Sequence, residues 1–292
     1  MPLHDVLAAL LVVFVWGVTF VVIKVGVDTT PPILLSALRF TFAALPAVFF
    51  VRPPKTKPSI VIAYGVTLGV VQFGGLFLAM RYGLSAGLAS LLVQAQVFFT
   101  IAFAFVFLRE VPTRFQLIGT AIGCLGIALI GVDRAAGAAL FPFVVVLIAA
   151  AGWGAANVIG MKAGRVDMFS FTVWSALAAP LPLFALSFGL EGPAALQALT
   201  HPTWLMVFVV LFLAGPAHLL GFGIWSRLLS LHSAASVTPF ALLVPIIGVI
   251  TARIVYGEPT SLIVAIGGAL VLGGLSLNVF GGRLLAWIAP RP

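Results

Sequence analysis

Along its whole length the chain alternates apolar stretches of about 20 residues, the length a membrane-crossing helix needs, with short segments that hold nearly all of its charge. In hydrocarbon every backbone N–H and C=O has to be bonded within its own helix, so each uninterrupted stretch reads as one span. Ten qualify, at about 5–26, 33–51, 59–80, 84–108, 114–132, 140–161, 168–189, 203–226, 233–256 and 260–281. Three connections are marked by breakers: Asp28 to Pro32, Arg52 to Pro58 and Glu191 to Pro202. A soluble reading fails on composition, because 8% charged residues cannot coat a globule whose kind carries about 25%. The first stretch reads as a retained helix rather than a secretory signal. Only Asp5 is charged ahead of it, and no small-x-small cleavage site precedes Lys24.

Ten spans put both termini on one side, and the bases say which. With the termini in the cytoplasm, Arg52, Lys55, Lys57, Arg109, Arg114, Lys162, Arg165, Arg227, Arg283 and Arg291 lie inside, against Lys24, Arg81 and Arg134 outside. Arg39 and Arg253 fall within spans. Ten against three follows the positive-inside rule. The net charge of +8 is thereby a matter of topology, and nucleic acid is excluded as a partner. Cys124 is the single cysteine, the four histidines lack the i, i+4 spacing of a helical zinc pair, and no GxxxxGK[ST] loop is present. No cofactor or metal is expected.

The chain repeats itself. Trp16-Gly17 and Trp153-Gly154 sit mid-span in spans 1 and 6, each followed by a lysine, Lys24 and Lys162. A shift of 148 residues superposes Ser85 on Ser233, Ala86 on Ala234, Glu110 on Glu258, Ile118 on Ile266, Gly119 on Gly267 and Gly126 on Gly274. Five spans per copy is an odd number, so the second copy enters the membrane from the opposite face. The expected fold is an all-α membrane protein of ten transmembrane helices, arranged as two inverted five-helix repeats, 1–136 and 137–292, around a central cavity. Secondary transporters are commonly built this way, with substrate at the bilayer midplane between the repeats. Small residues such as Gly65 with Gly69 and Gly119 with Gly123 are expected to serve close helix packing.

Polar residues near span centres are costly there, which makes them informative. They are Trp16 and Thr19, Gln72, Gln94 and Gln96, Trp153 and Asn157, and His218; Pro245 breaks the ladder in span 9. Each has a structural use, since interhelical hydrogen bonds are worth about 0.6–2 kcal/mol, and the two tryptophans could form a packing pair. Together, in repeat-related spans, they point to a hydrated substrate-binding cavity. Its aromatic walls suit an apolar side chain or, by cation–π contact, an ammonium group. Arg39 reaches a carbonyl, a headgroup or a cavity; Lys24 and Arg253 lie where snorkelling suffices. Arg39 and Lys24 are also the candidates for anion attraction.

All seven acids, Asp5, Asp28, Glu110, Asp133, Asp167, Glu191 and Glu258, fall at span ends or in loops. A proton-driven exporter ordinarily needs an intramembrane carboxylate or an equivalent relay, and His218 is the titratable group left for one. A cationic-drug pump would want a counter-charge. A facilitator or exchanger for a solute of no net charge is the simplest reading, because the membrane potential does no work on such a solute.

The run Leu11 to Gly26, Pro31-Pro32, Leu38-Arg39-Phe40, Ala86 to Thr100, Gly221 to Trp225, Leu242 to Pro245 and Asn278 to Gly281 resemble EamA-type members of the drug/metabolite transporter superfamily. The likeness covers essentially the whole chain and is strongest toward bacterial inner-membrane exporters of O-acetylserine and cysteine, with aromatic amino-acid exporters as relatives. It implies ten helices, cytoplasmic termini and a central cavity. Trp16, Gln94, Gln96, Trp153 and Asn157 match positions where those exporters carry the same residue. Thr19 stands where they often have Asn, and His218 where they tend to have Thr. The small multidrug-resistance branch uses a first-helix glutamate that is missing here.

The expected function is export of neutral amino acids and amino-acid metabolites, small sulfur-containing or aromatic, by alternating access and by facilitation or exchange. The alternatives are efflux of drugs or nucleoside-like metabolites and proton-coupled antiport. An enzyme is disfavoured, because no His, Asp or Glu cluster forms an acid–base site. The expected partners are a small-molecule substrate and the lipid bilayer, the place is the bacterial inner membrane, and the working unit is the monomer.

Overall fold

A computed structural model of the chain describes residues 1–136, 140–258 and 261–288, with side chains described except at 134–136, 234–235 and 282–288. Among the described residues there is no strand. The membrane helices are α1 (Leu3–Thr29), α2 (Pro32–Val48), α3 (Pro58–Arg81), α4 (Ala86–Leu108), α5 (Arg114–Ala136), α6 (Leu140–Met161), α7 (Met168–Leu190), α8 (Trp204–Leu231), α9 (Thr238–Tyr256) and α10 (Leu262–Ile288). The junction expected between the repeats, at 136/137, borders residues outside those described, and the side chains of Arg134 and Arg283 and the whole of Arg291 lie outside them.

Helix starts follow local chemistry. Proline at the first turn opens α2 and α3, where its missing N–H goes unneeded. Ser85, Asp167 and Thr203 cap α4, α7 and α8 by accepting from the backbone N–H three residues on. Thr113 and Gln116 satisfy each other reciprocally at the start of α5.

Several segments differ from expectation: α8 runs on to Leu231 rather than residue 226 and α10 to Ile288 rather than 281, and two others have a local cause. Span 2 stops at Val48 rather than residue 51, ahead of Pro53-Pro54, which cannot continue it; α7 takes up carbonyls beyond its end, Trp174 Nε1 donating to Val51 O at 3.0 Å and Ser170 Oγ to Arg52 O at 2.6 Å. At 17 residues α2 is the short member of the set. The Glu191 to Pro202 connection, expected as loop, contains a short helix, Pro193–Thr200. Gly192 at φ +53° turns the chain into it and Pro193 opens it.

Helix pairing carries the repeat. α1 packs on α9 and α8, and α6 on α4 and α3; α2 packs on α8, and α7 on α3; α5 pairs with α10 and α2 with α7. Exchanging every helix with its mate in the other repeat regenerates these pairs; α1 packs in addition on α3 and α4, without a comparable packing of α6 on α8 or α9 among the described residues. At the α5–α10 seam a Cβ on Gly119 would lie 2.5 Å from Gly274 O, and one on Gly126 2.5 Å from Gly267 O. The 148-residue shift interchanges these two contacts, as an inverted two-fold relation requires.

The same symmetry places the interruptions. α3 loosens to π-helix over Thr67–Gly74 and α8 over Leu213–Leu220, 146 residues apart at both ends. α4 tightens to 3₁₀ at Val93–Ala95, and α9 opens with one at Thr238–Leu242, just before Pro245. α4 ends on Arg109 at φ +61° and α9 on Gly257 at φ +62°, again 148 apart. Neither π segment has a sequence signal that periodicity detects; π-turns often mark functional positions in helices.

Contacts between helix ends agree with alternating passes. Near the N-terminus, buried Asp5 accepts from Arg227 and pairs with His232 at 2.7 Å, joining the start of α1 to the end of α8. On the opposite face Glu191 accepts from Ile33 N at 2.7 Å and Leu34 N at 2.9 Å, and Glu258 from Ala86 N at 2.8 Å and Gly87 N at 3.1 Å. Each acid comes from the second repeat and caps a first-repeat helix, where a carboxylate is favoured by the helix dipole.

Candidate functional site

The glycines of the two Trp-Gly pairs let helices of opposite repeats meet. A Cβ on Gly17 would lie 2.5 Å from Ile247 Cγ2 on α9, and one on Gly154 2.7 Å from Phe99 Cβ on α4. Phe99 and Ile247 are themselves 148 residues apart, so these are one contact made twice. Close approach of α6 to α4 has a polar consequence. Asn157 Nδ2 donates to Gln96 Oε1 at 2.7 Å and to Thr100 Oγ1 at 3.0 Å. Thr100 also bonds back to Gln96 O at 2.7 Å. Gln96, Thr100 and Asn157 are all part-exposed, so an uncharged polar cluster that is not wholly buried joins α4 of one repeat to α6 of the other. Sequence reading found Gln96 and Asn157 and missed Thr100; the signal was its i+4 position on the face of Gln96.

The two tryptophans differ. Trp16 donates its indole N–H to Ala217 O at 2.9 Å, inside the π segment of α8, and its ring lies 5.3 Å from Phe222 and 5.2 Å from Trp225. Thr19 spends its hydroxyl on Val15 O at 2.7 Å. Trp153 is part-buried, and its indole has no hydrogen bond or ring partner among the described residues. Gln94 sits buried in the 3₁₀ turn of α4, likewise without a side-chain partner among them.

Gln72 and His218 are repeat mates, each at the sixth residue of its π segment. Both are 1% exposed, and Gln72 Oε1 and both ring nitrogens of His218 lack partners. His218 packs edge-on against Phe40 at 5.8 Å and Phe222 at 5.1 Å.

Lys24 and Arg39 part company as well. Lys24 donates to Asp28 Oδ1 at 2.7 Å and to Met80 O at 3.3 Å, so its charge is met. Arg39 is 2% exposed, with Nε and Nη1 unpaired. Its guanidinium stands 3.6 Å from the Phe73 ring centroid and 5.2 Å from that of Phe40. A desolvated cation–π contact returns about 2 kcal/mol, against about 2.5–3.5 kcal/mol for a cation mid-helix in the membrane and about 1–3 kcal/mol for each buried donor left unmade. The aromatic ring does not balance that sum.

A cleft of about 780 Å³ opens between the start of α7 and the second half of α8, lined by Asp167, Phe169, Leu219, Gly223 and Arg227 among others. It runs from the end of α8 nearest the N-terminus to Leu219, the neighbour of His218. None of the ten residues singled out from sequence lines it, so the polar cluster lies elsewhere in the bundle.

Comparison with known proteins agrees with this architecture. The model of the EamA-like transporter family matches residues 5–132 and 140–280. A protein of Salmonella typhimurium named probable amino-acid metabolite efflux pump is 40% identical, with 97% of each chain covered. The protein of the same name from Escherichia coli is 38% identical, again over 97% of each. A solved crystal structure superposes with a TM-score of 0.64 at 20% identity, covering 97% of this chain and 98% of the other, which bears on the fold alone.

Proposed function

The chain belongs to the EamA-like transporter family, and from that premise we propose that it exports neutral amino acids and amino-acid metabolites, small sulfur-containing or aromatic, by alternating access. The observation that carries the substrate class is the Gln96–Thr100–Asn157 cluster. It offers amide and hydroxyl groups beside a part-exposed tryptophan, Trp153, with no acid on the spans near it. Such a surface suits the polar end of a zwitterion and an apolar side chain, and it supplies no counter-ion for an organic cation. Relatives named as amino-acid metabolite efflux pumps at 38–40% identity support the same class.

In this reading residues 1–136 and 137–292 are the two units that move against each other, and Trp16, Thr19, Gln72, Gln94, Gln96, Trp153, Asn157 and His218 meet the substrate between them. The protein sits in the bacterial inner membrane with both termini cytoplasmic, as the ten-to-three bias of bases asks, and works as a monomer. Transport is facilitative or by exchange. A solute of no net charge is insensitive to the membrane potential, so the cell's own concentration gradient drives exit.

The test is a panel of labelled neutral amino acids offered to the purified chain in proteoliposomes. Saturable counterflow is expected, with little response to a pH gradient. Failure to carry any neutral amino acid, together with transport of an organic cation, ends this reading. A second reading, efflux of drugs or nucleoside-like metabolites, rests on the aromatic group Trp16, Phe222 and Trp225 and would show as nucleoside or drug movement without amino-acid counterflow.

A further inference from the structure

One face of α2 carries Ser36, Arg39 and Phe40, at i, i+3 and i+4. Ser36 is 0% exposed with its hydroxyl unpartnered, Arg39 is 2% exposed with Nε and Nη1 unpartnered, and His218, reached across the Phe40 ring, is 1% exposed with both nitrogens unpartnered. Phe73 of α3 closes the other side of the guanidinium at 3.6 Å. The unmet groups are donors on Arg39, a donor or acceptor on Ser36, and one donor and one acceptor on a neutral His218. No carboxylate reaches this place. Asp5, Glu191 and Glu258 are engaged at helix ends, Asp28 pairs with Lys24, and Asp167 caps α7. Glu110 follows the end of α4, and Asp133 stands near the far end of α5, bonded by Ser261. These unmet donors suit an anion brought from outside the chain.

We propose that Ser36, Arg39 and His218, between α2 and α8, form an oxyanion subsite that binds the substrate's carboxylate. The subsite rests on the amino-acid reading above and, within the polar end of the substrate, assigns the carboxylate, for which the uncharged Gln96–Thr100–Asn157 cluster supplies no counter-charge. The guanidinium over the Phe73 ring has Nε and Nη1 unpaired, and the N–H edge is the part that meets a carboxylate bidentately. All three side chains are buried in the present arrangement of helices. α2 and the π segment of α8 come from different repeats, so rocking of one repeat against the other is the motion that exposes them. A phospholipid phosphate or a free inorganic anion offers the same oxygen chemistry, and the experiment separates these sources.

The full chain is reconstituted in liposomes, and counterflow of a labelled neutral amino acid that it carries is measured against three unlabelled competitors: the same amino acid, its carboxamide and inorganic phosphate. A hydrogen-bonded charge pair makes the acid compete roughly 10- to 100-fold better than the carboxamide on the wild type. Arg39→Gln brings that ratio to within about threefold, and Arg39→Lys, which keeps the charge and loses the fork, restores part of it. Equal competition by acid and carboxamide on the wild type overturns the proposal without any variant having to fold. So does an Arg39→Gln protein that keeps the wild-type ratio, or phosphate that competes as well as the acid. A phospholipid retained by the wild type in native mass spectrometry and lost from Arg39→Gln, with the ratio unchanged, assigns Arg39 to lipid and also overturns it. If the wild type carries no amino acid, the export reading falls first and takes the subsite with it; if it carries acid and carboxamide alike, only the subsite falls.

Discussion

The carboxamide of Asn157 donates to the side-chain carbonyl of Gln96 at 2.7 Å, tying α6 of the second repeat to α4 of the first. Such a bond within a membrane bundle is worth about 0.6–1.7 kcal/mol, so Gln96→Leu should lower thermal stability by no more than that, and Asn157→Leu, which also loses its bond to Thr100 Oγ1, by up to about twice as much. The double variant should fall short of the sum by about 0.5–1 kcal/mol. Counterflow should suffer more than stability, with KM for the carried amino acid rising several-fold in both single variants. Melting curves beside transport kinetics check this; an unchanged KM in two folded variants makes the pair purely structural.

The two tryptophans should separate by the same measurements. Trp16→Phe removes the N–H that Ala217 O accepts within the π segment and is expected to cost about 1 kcal/mol of stability. Trp153 has no such bond to lose, so Trp153→Phe should melt like the wild type while changing the order of preference among apolar side chains in the amino-acid panel. Equal loss of stability in both variants would contradict the asymmetry of the two repeats.

Glu191 and Glu258 each close two backbone donors at the start of a helix from the other repeat. Replacing either by Gln removes the charge that the helix dipole favours and exchanges one accepting oxygen for an NH2 that cannot accept, so one of the two backbone bonds is lost as well, at about 1–3 kcal/mol each. The two sites share no partner, so Glu191→Gln and Glu258→Gln together should add to within about 0.5 kcal/mol. Strong non-additivity in the melts would mean that the two caps open as one unit.

Much of this architecture is legible from charge placement and repetition. Arg52, Lys55 and Lys57 mark one connection, and the 148-residue shift pairs Gly119 with Gly267 and Gly126 with Gly274 before any contact between them is known. The π segments are not legible: Gln72 and His218 lie in runs as apolar and regular as any other, and the extra residue per turn leaves no trace in composition. Their repeat relation is hidden besides, because the mates are a glutamine and a histidine, related by 146 residues rather than 148. The early end of α2 escaped for another reason, since Phe49-Phe50-Val51 is apolar enough to continue a span. It stops ahead of Pro53-Pro54, which cannot continue a helix, and Trp174 and Ser170, more than a hundred residues away, take up the carbonyls of Val51 and Arg52 beyond its end. Thr100 was hidden by ordinariness, since a threonine in a helix usually bonds its own backbone, and this one does that too.

Gly126 tests the seam on which the inverted arrangement rests. A methyl there would stand 2.5 Å from Gly267 O, 2.9 Å from Leu270 Cβ and 2.9 Å from Val271 N. Two of those three neighbours are backbone atoms of α10, which cannot step aside as a side-chain tip does, so α5 and α10 have to separate along their length. Gly126→Ala should cost about 3 kcal/mol or more and yield little monodisperse protein. Gly273, on the same helix as Gly267, has nothing within 4 Å of its would-be Cβ. Gly273→Ala should therefore be neutral or gain a few tenths of a kcal/mol, up to about 1, from helix propensity. Size-exclusion profiles and melting temperatures of the two alanine variants give the comparison. Equal behaviour would mean that the close contact of Gly126 with Gly267 does not hold the repeats together.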